Sequence, residues 1–187
     1  MTIPADHPKI KPAKIGVILA NLGTPDATDY WSMRKYLSQF LSDKRVVDYS
    51  AWLWQPLLQG IILTRRPFSS GKAYRSIWNN ELNESPLLTT TRLQANAVKK
   101  EVEKIYGNDV IVDFAMRYGN PSTESVIKNL KDQGVEKIVF FPLYPQYAGP
   151  TTATANDEAF RTLMKMNWQP SIRTVAAYFD NPLYINA

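Results

Sequence analysis

Residues 14–26 read KIGVILANLGTPD, and the fold turns on how this stretch is taken. Nine residues, nearly all apolar, lead into Gly23-Thr24-Pro25-Asp26 with no polar alternation, the pattern of a strand buried on both faces and stopped by a turn. Three further runs share that character: residues 110–116 (VIVDFAM), 137–143 (KIVFFPL) and 172–178 (IRTVAAY). Helical signals separate them. Residues 87–106 carry Leu87, Ala95, Val98, Val102 and Ile105 on one stripe, with Ser85 as the N-cap and Gly107-Asn108 as the stop. Asn120 as N-cap, Pro121 at the first helical position and Gly134 frame a helix bearing Val126, Ile127 and Leu130. Residues 152–166 supply the last crossover. Alternating strands and helices argue for a doubly wound α/β fold, with a mainly parallel four-stranded sheet and helices on both faces, and a flavodoxin-like order 2-1-3-4 is the expectation.

Composition sets the limits within which this fold can work. The 187 residues suit one lobe with one core, and 44% hydrophobic against 21% charged residues suits a globule. With no cysteine, the chain forms no disulfide, thiolate zinc site or cysteine-ligated cluster. Its single histidine, His7, belongs to a polar leader, residues 1–14, expected to be flexible, so a multi-histidine metal site is excluded. The net charge of +5 is scattered, apart from Arg65-Arg66, and argues for no nucleic-acid partner. No apolar signal segment opens the chain, so a cytoplasmic location is expected, at most peripheral to the inner membrane.

Residues 28–82 exceed what a crossover needs, with two helical runs and a Pro/Ser/Gly-rich loop at 67–71. Residues 51–63 (AWLWQPLLQGIIL) are too short to span a bilayer and are interrupted by Pro56 and Gly60; they either lie on a membrane or line a pocket. This apolar segment runs directly into Arg65 and Arg66, an arrangement that suits an amphipathic ligand with carboxylates and equally suits core packing with helix-end charge compensation.

Ligands of open α/β sheets bind at the carboxyl ends of the strands, which here carry Leu22, Arg117-Tyr118-Gly119 and Tyr144-Pro145. Arg117 either pairs with a carboxylate or points into the cleft. One glycine in the first turn is no dinucleotide fingerprint, and Gly71-Lys72 matches only the tail of a phosphate loop.

Six segments in order, VILANLGTPD (17–26), RRP (65–67), GKAYRSIW (71–78), SPL (85–87), MRYGNPS (116–122) and FPLYPQYAGPTTAT (141–154), resemble the ferrochelatase family. The resemblance implies the N-terminal lobe of an enzyme that inserts ferrous iron into protoporphyrin IX to give protohaem, with residues 28–82 as a helical lip. It assigns Leu22 to the macrocycle, Arg65 and Arg66 to the propionates, and Tyr74 and Ser85 to the porphyrin edge. Arg117 and Tyr118 match an inner-wall pair sometimes assigned to metal entry, and Tyr144 matches the first tyrosine of the YPQY turn. The family's histidine base and partner glutamate belong to its second half, so on this resemblance the chain holds no catalytic or metal-ligating residue and no cofactor of its own. It would be a fragment, inactive until joined to its missing C-terminal lobe. A noncatalytic tetrapyrrole-binding module and a flavodoxin-like nucleotide-binding domain are the alternatives.

Overall fold

A computed structural model describes residues 13–187; His7 and the leader proposed for residues 1–14 lie outside the described residues, apart from Ala13 and Lys14. Four parallel strands, β1 (Lys14–Thr24), β2 (Val110–Gly119), β3 (Val135–Pro142) and β4 (Ser171–Thr174), form one sheet in the expected order β2-β1-β3-β4. β1 is central, with Ile18 facing Asp113 on one side and Phe140 on the other.

The helices are α1 (Tyr30–Leu41), α2 (Ala51–Leu57), α3 (Leu63–Ile77), α4 (Pro86–Tyr106), α5 (Thr123–Asp132), α6 (Thr154–Met164) and α7 (Pro182–Ile185). Side chains alternate across a strand, so Ile18 and Ala20 of β1 join Ala115 of β2 and Phe140 of β3 against Ile127 and Leu130 of α5 and Ala155 and Ala159 of α6. The opposite face meets α4, whose buried Thr91 takes a hydrogen bond from Asn21 at 3.0 Å. Helices therefore cover both faces.

Three local expectations need correcting. α5 is capped by Ser122, whose hydroxyl accepts from the Ser125 N–H; the helix opens at Thr123, so Asn120 and Pro121 precede it, and the Asn120 amide donates instead to Asp26 at 2.8 Å. β4 stops at Thr174, short of Tyr178. The Phe140 carbonyl takes the Val175 N–H, but the next donor on that side of β3 would be Pro142, which has none. Residues 67–71 are not a loop but the middle of α3. The Leu63 carbonyl that Pro67 leaves without an N–H is taken by Tyr30 (3.0 Å) and Arg34 (2.6 Å), and Gly71 lets the helix press on Thr28, whose carbonyl would lie 2.7 Å from a Cβ there. A π-turn at Leu58–Ile62 joins α2 to α3.

Candidate functional site

The carboxyl ends of β1 and β2 are held against each other by two glycines. Gly23 (φ 105°) and Gly119 (φ 83°) occupy backbone conformations that side chains rarely adopt. A Cβ on Gly23 would fall 1.8 Å from the Tyr118 carbonyl, and one on Gly119 would fall 2.3 Å from that of Thr24. Leu22 and Tyr118 are thereby brought to one edge.

Over that edge folds the insertion. Met33, Tyr36 and Leu37 of α1, Leu58 of the π-turn and Leu63 of α3 form a second apolar cluster around Tyr118, with Leu22, Phe40, Trp54 and Tyr74 half-buried against it. Phe40 meets the Tyr118 ring edge-on at 5.3 Å, and Tyr74 meets that of Tyr36 at 6.1 Å. Three residues assigned by resemblance, Leu22, Tyr74 and Tyr118, thus share one cluster, with Tyr118 fully buried inside it and Leu22 and Tyr74 half-buried at its edge.

Arg117 leaves β2 toward α6 and is mostly buried. Its Nη2 donates to Asp43 at 2.5 Å and its Nε to Thr154 at 2.6 Å, while Glu158 lies 3.4 Å from Nη1. Tyr118 donates its hydroxyl to the same Asp43 oxygen at 2.8 Å, as does Thr154. Arg117 thus pairs with carboxylates, the first of its two sequence alternatives; the paired guanidinium also lines a polar cavity of about 1050 Å³ bordered by Asp43, Arg45, Asp157, Glu158 and Arg161, which includes none of Leu22, Tyr74 and Tyr144.

Burial alone would push the Asp43 carboxyl up. Hydrogen bonds from Thr154, the Arg45 N–H and Tyr118, with the nearby Arg117 charge, outweigh it and hold the group below its usual value. Burial likewise pushes the Tyr118 phenol up, to about 12, with the Asp43 carboxylate adding to the effect and Thr154 and Arg117 opposing it. Tyr144 packs on the sheet core, and burial first, then Tyr118, raises its phenol. Its buried hydroxyl has no partner among the described residues.

The two lip arginines are exposed and pair with no carboxylate among the described residues. They do not point the same way. α3 buries Leu63, Pro67 and Gly71, which puts Arg65 on the outward face with Phe68 and Lys72; Arg66, about 100° around, sits on the flank. Ser85 is buried as the cap of α4, accepting from the Leu88 N–H at 3.2 Å, beside a buried Glu84 clasped by Arg92. No group of three or more His, Asp or Glu among the described residues is arranged to hold a metal ion.

Asp43, Thr154 and Glu158 escape a sequence reading. Asp43 sits in a polar loop, Ser42-Asp43-Lys44-Arg45, with no periodicity to mark it; Thr154 closes the FPLYPQYAGPTTAT segment and could have been found there.

The ferrochelatase family model matches residues 14–187. The chain is 62% identical over 185 residues to the ferrochelatase of Rhodobacter capsulatus and 57% identical over 183 to that of Agrobacterium fabrum, in each case covering 98% of this chain and 53% of the relative. It is 53% identical over 184 residues to that of a Chelativorans species, covering 98% of this chain and 52% of the relative. The chain spans about half the length of the curated relatives it matches.

Proposed function

The chain belongs to the ferrochelatase family, and from that premise we propose that it forms the N-terminal lobe of an enzyme that inserts ferrous iron into protoporphyrin IX, supplying one wall of the porphyrin cleft. The observation that carries this reading is the meeting of Leu22, Tyr74 and Tyr118 in one aromatic cluster at the carboxyl ends of the strands, with Arg66 exposed on the flank of α3.

A planar porphyrin keeps two pyrrole N–H groups in its plane, and a metal enters more easily when the ring is bent so that nitrogen lone pairs face it. Flat apolar contact along Leu22 and Tyr74 and a charge-assisted anchor from Arg66 to a propionate supply that strain from binding remote from the nitrogens. Arg117 and Tyr118, fixed to Asp43, stand at the inner end of the wall. The base that takes the pyrrole protons comes from the second half of the protein, and without it the 187-residue chain is inactive. Residues 51–63 rest peripherally on a membrane. Trp52, Leu53 and Ile61 are exposed, and no Asp or Glu lies between Asp48 and Glu81 while Arg65, Arg66, Lys72 and Arg75 do.

The test is metal insertion by a full-length ferrochelatase carrying this lobe, beside the 187-residue chain alone. The full-length protein forms haem from protoporphyrin IX and ferrous iron under reducing conditions, and the chain alone gives none above background. Turnover by the chain alone removes the two-half account. Saturable nucleotide binding with none for porphyrin returns the fold to a flavodoxin-like reading.

A further inference from the structure

We propose that Asp43 is the positioning residue of this wall, a role that rests on the reading of the lobe as one side of a porphyrin cleft: its carboxylate fixes where the Arg117 guanidinium and the Tyr118 hydroxyl stand. One oxygen, Oδ2, receives Arg117 Nη2 at 2.5 Å, the Tyr118 hydroxyl at 2.8 Å and the Thr154 hydroxyl; the other, Oδ1, receives the Arg45 N–H at 2.8 Å. The donors come from the end of β2, the start of α6 and the loop after α1, and Asp43 is 74, 75 and 111 residues away from Arg117, Tyr118 and Thr154. Its side chain keeps only 8% of its surface exposed. A carboxylate offers about four acceptor directions, two on each oxygen; here three donors crowd Oδ2 and one takes Oδ1, so both oxygens are engaged.

The geometry also names what happens when the charge is removed. Arg117 has a second carboxylate within reach, Glu158 of α6, 3.4 Å from Nη1. With Asp43 neutral, the guanidinium has one anionic partner left and turns toward α6, while Tyr118 loses the charged acceptor that orients its hydroxyl. Leu22, Tyr74 and Arg66 make no hydrogen bond to Asp43, whose partners are Arg117, Tyr118, Thr154 and the Arg45 N–H, so porphyrin binding and metal insertion should separate.

Two variants test it. In the 187-residue chain, Tyr118 ionisation is read by phenolate absorbance as the difference from Tyr118→Phe. Asp43→Asn is expected to lower that midpoint, because the carboxylate that disfavours the phenolate is gone while burial, the larger cause of the raised value, stays. An unchanged midpoint overturns the proposed hold on Tyr118. In a full-length ferrochelatase carrying this lobe, Asp43→Asn is expected to lower kcat at least tenfold with the porphyrin KM within threefold. Asp43→Glu, which keeps the charge but displaces it by one methylene, is expected to lower kcat at least fivefold with the porphyrin KM within threefold. Full activity of Asp43→Glu, or a loss confined to KM, overturns the positioning role. If the wild type inserts no metal, the porphyrin reading and this role fall together, while the titration still decides the geometry.

Discussion

The molecule holds two apolar clusters of different make. The sheet core joins Ile18, Ala20, Ala115 and Phe140 to Ile127, Leu130, Ala155 and Ala159, aliphatic apart from one ring and nearly closed to solvent. The cluster under the insertion is aromatic, with Tyr36, Tyr118, Phe40, Trp54 and Tyr74, and its outer members are only half-buried. The first is assembled from successive strand-helix-strand units, each burying its neighbour's face. The second depends on a distant insertion being held down by hydrogen bonds and by the Asp43–Arg117 pair. Stability should therefore belong mainly to the first, whereas the second is left half-open and polar-edged.

The largest effect that would break this division is Phe140→Ala, which removes a fully buried ring from the sheet core and should cost about 3–5 kcal/mol in a urea titration. Trp54→Ala, half-buried in the second cluster, should cost clearly less; equal losses would mean that the two clusters form one core. Next comes Asp43→Ala, which leaves Arg117 with the Thr154 hydroxyl and one carboxylate, Glu158, and should cost about 2–4 kcal/mol, the price of an unpaired buried charge being only partly relieved. A smaller effect is expected from Arg66→Ala, which should weaken porphyrin binding by about 1–3 kcal/mol with the urea midpoint unchanged, because the side chain is exposed. Arg65→Ala, on the outward face of α3, should cost less affinity.

Acid sharpens the comparison last. Asp43 is held below its ordinary value of 3.8, so its contribution to stability is complete above that pH and is lost as pH falls through the lower folded value. Glu84, lowered chiefly by its hydrogen bond from Arg92, follows the same sign from 4.5 downward. Stability measured between pH 6 and pH 2 should fall on this limb, and Asp43→Asn should flatten it. A parallel fall in the variant would assign the loss to other carboxylates.

What the sequence made legible follows the same division. The continuous apolar runs from Lys14 and from Val110, the stripe of α4 and its Ser85 cap are local signals, and the placement of strands and helices follows from them, whereas the sheet order rests on likeness to a flavodoxin-like order. The site needed more. Leu22, Tyr74 and Tyr118 carry no local mark of sharing a wall, and only the resemblance grouped them. The link of Asp43 to Arg117 crosses 74 residues and leaves no periodic trace. Residues 67–71 read as a loop because Pro67 and the serines favour one, and the helix survives there through partners that Tyr30 and Arg34 bring from α1.

The central claim, that porphyrin lies against the carboxyl ends of the strands under the insertion, has a direct optical test. Two single-tryptophan forms of a full-length ferrochelatase carrying this lobe would be titrated with protoporphyrin IX, whose absorption overlaps tryptophan emission. One keeps Trp54, in the aromatic cluster, and the other keeps Trp168, just before the opposite end of β4. Saturable quenching that is much deeper for Trp54 than for Trp168 is the predicted result. Equal quenching, or deeper quenching of Trp168, would contradict it.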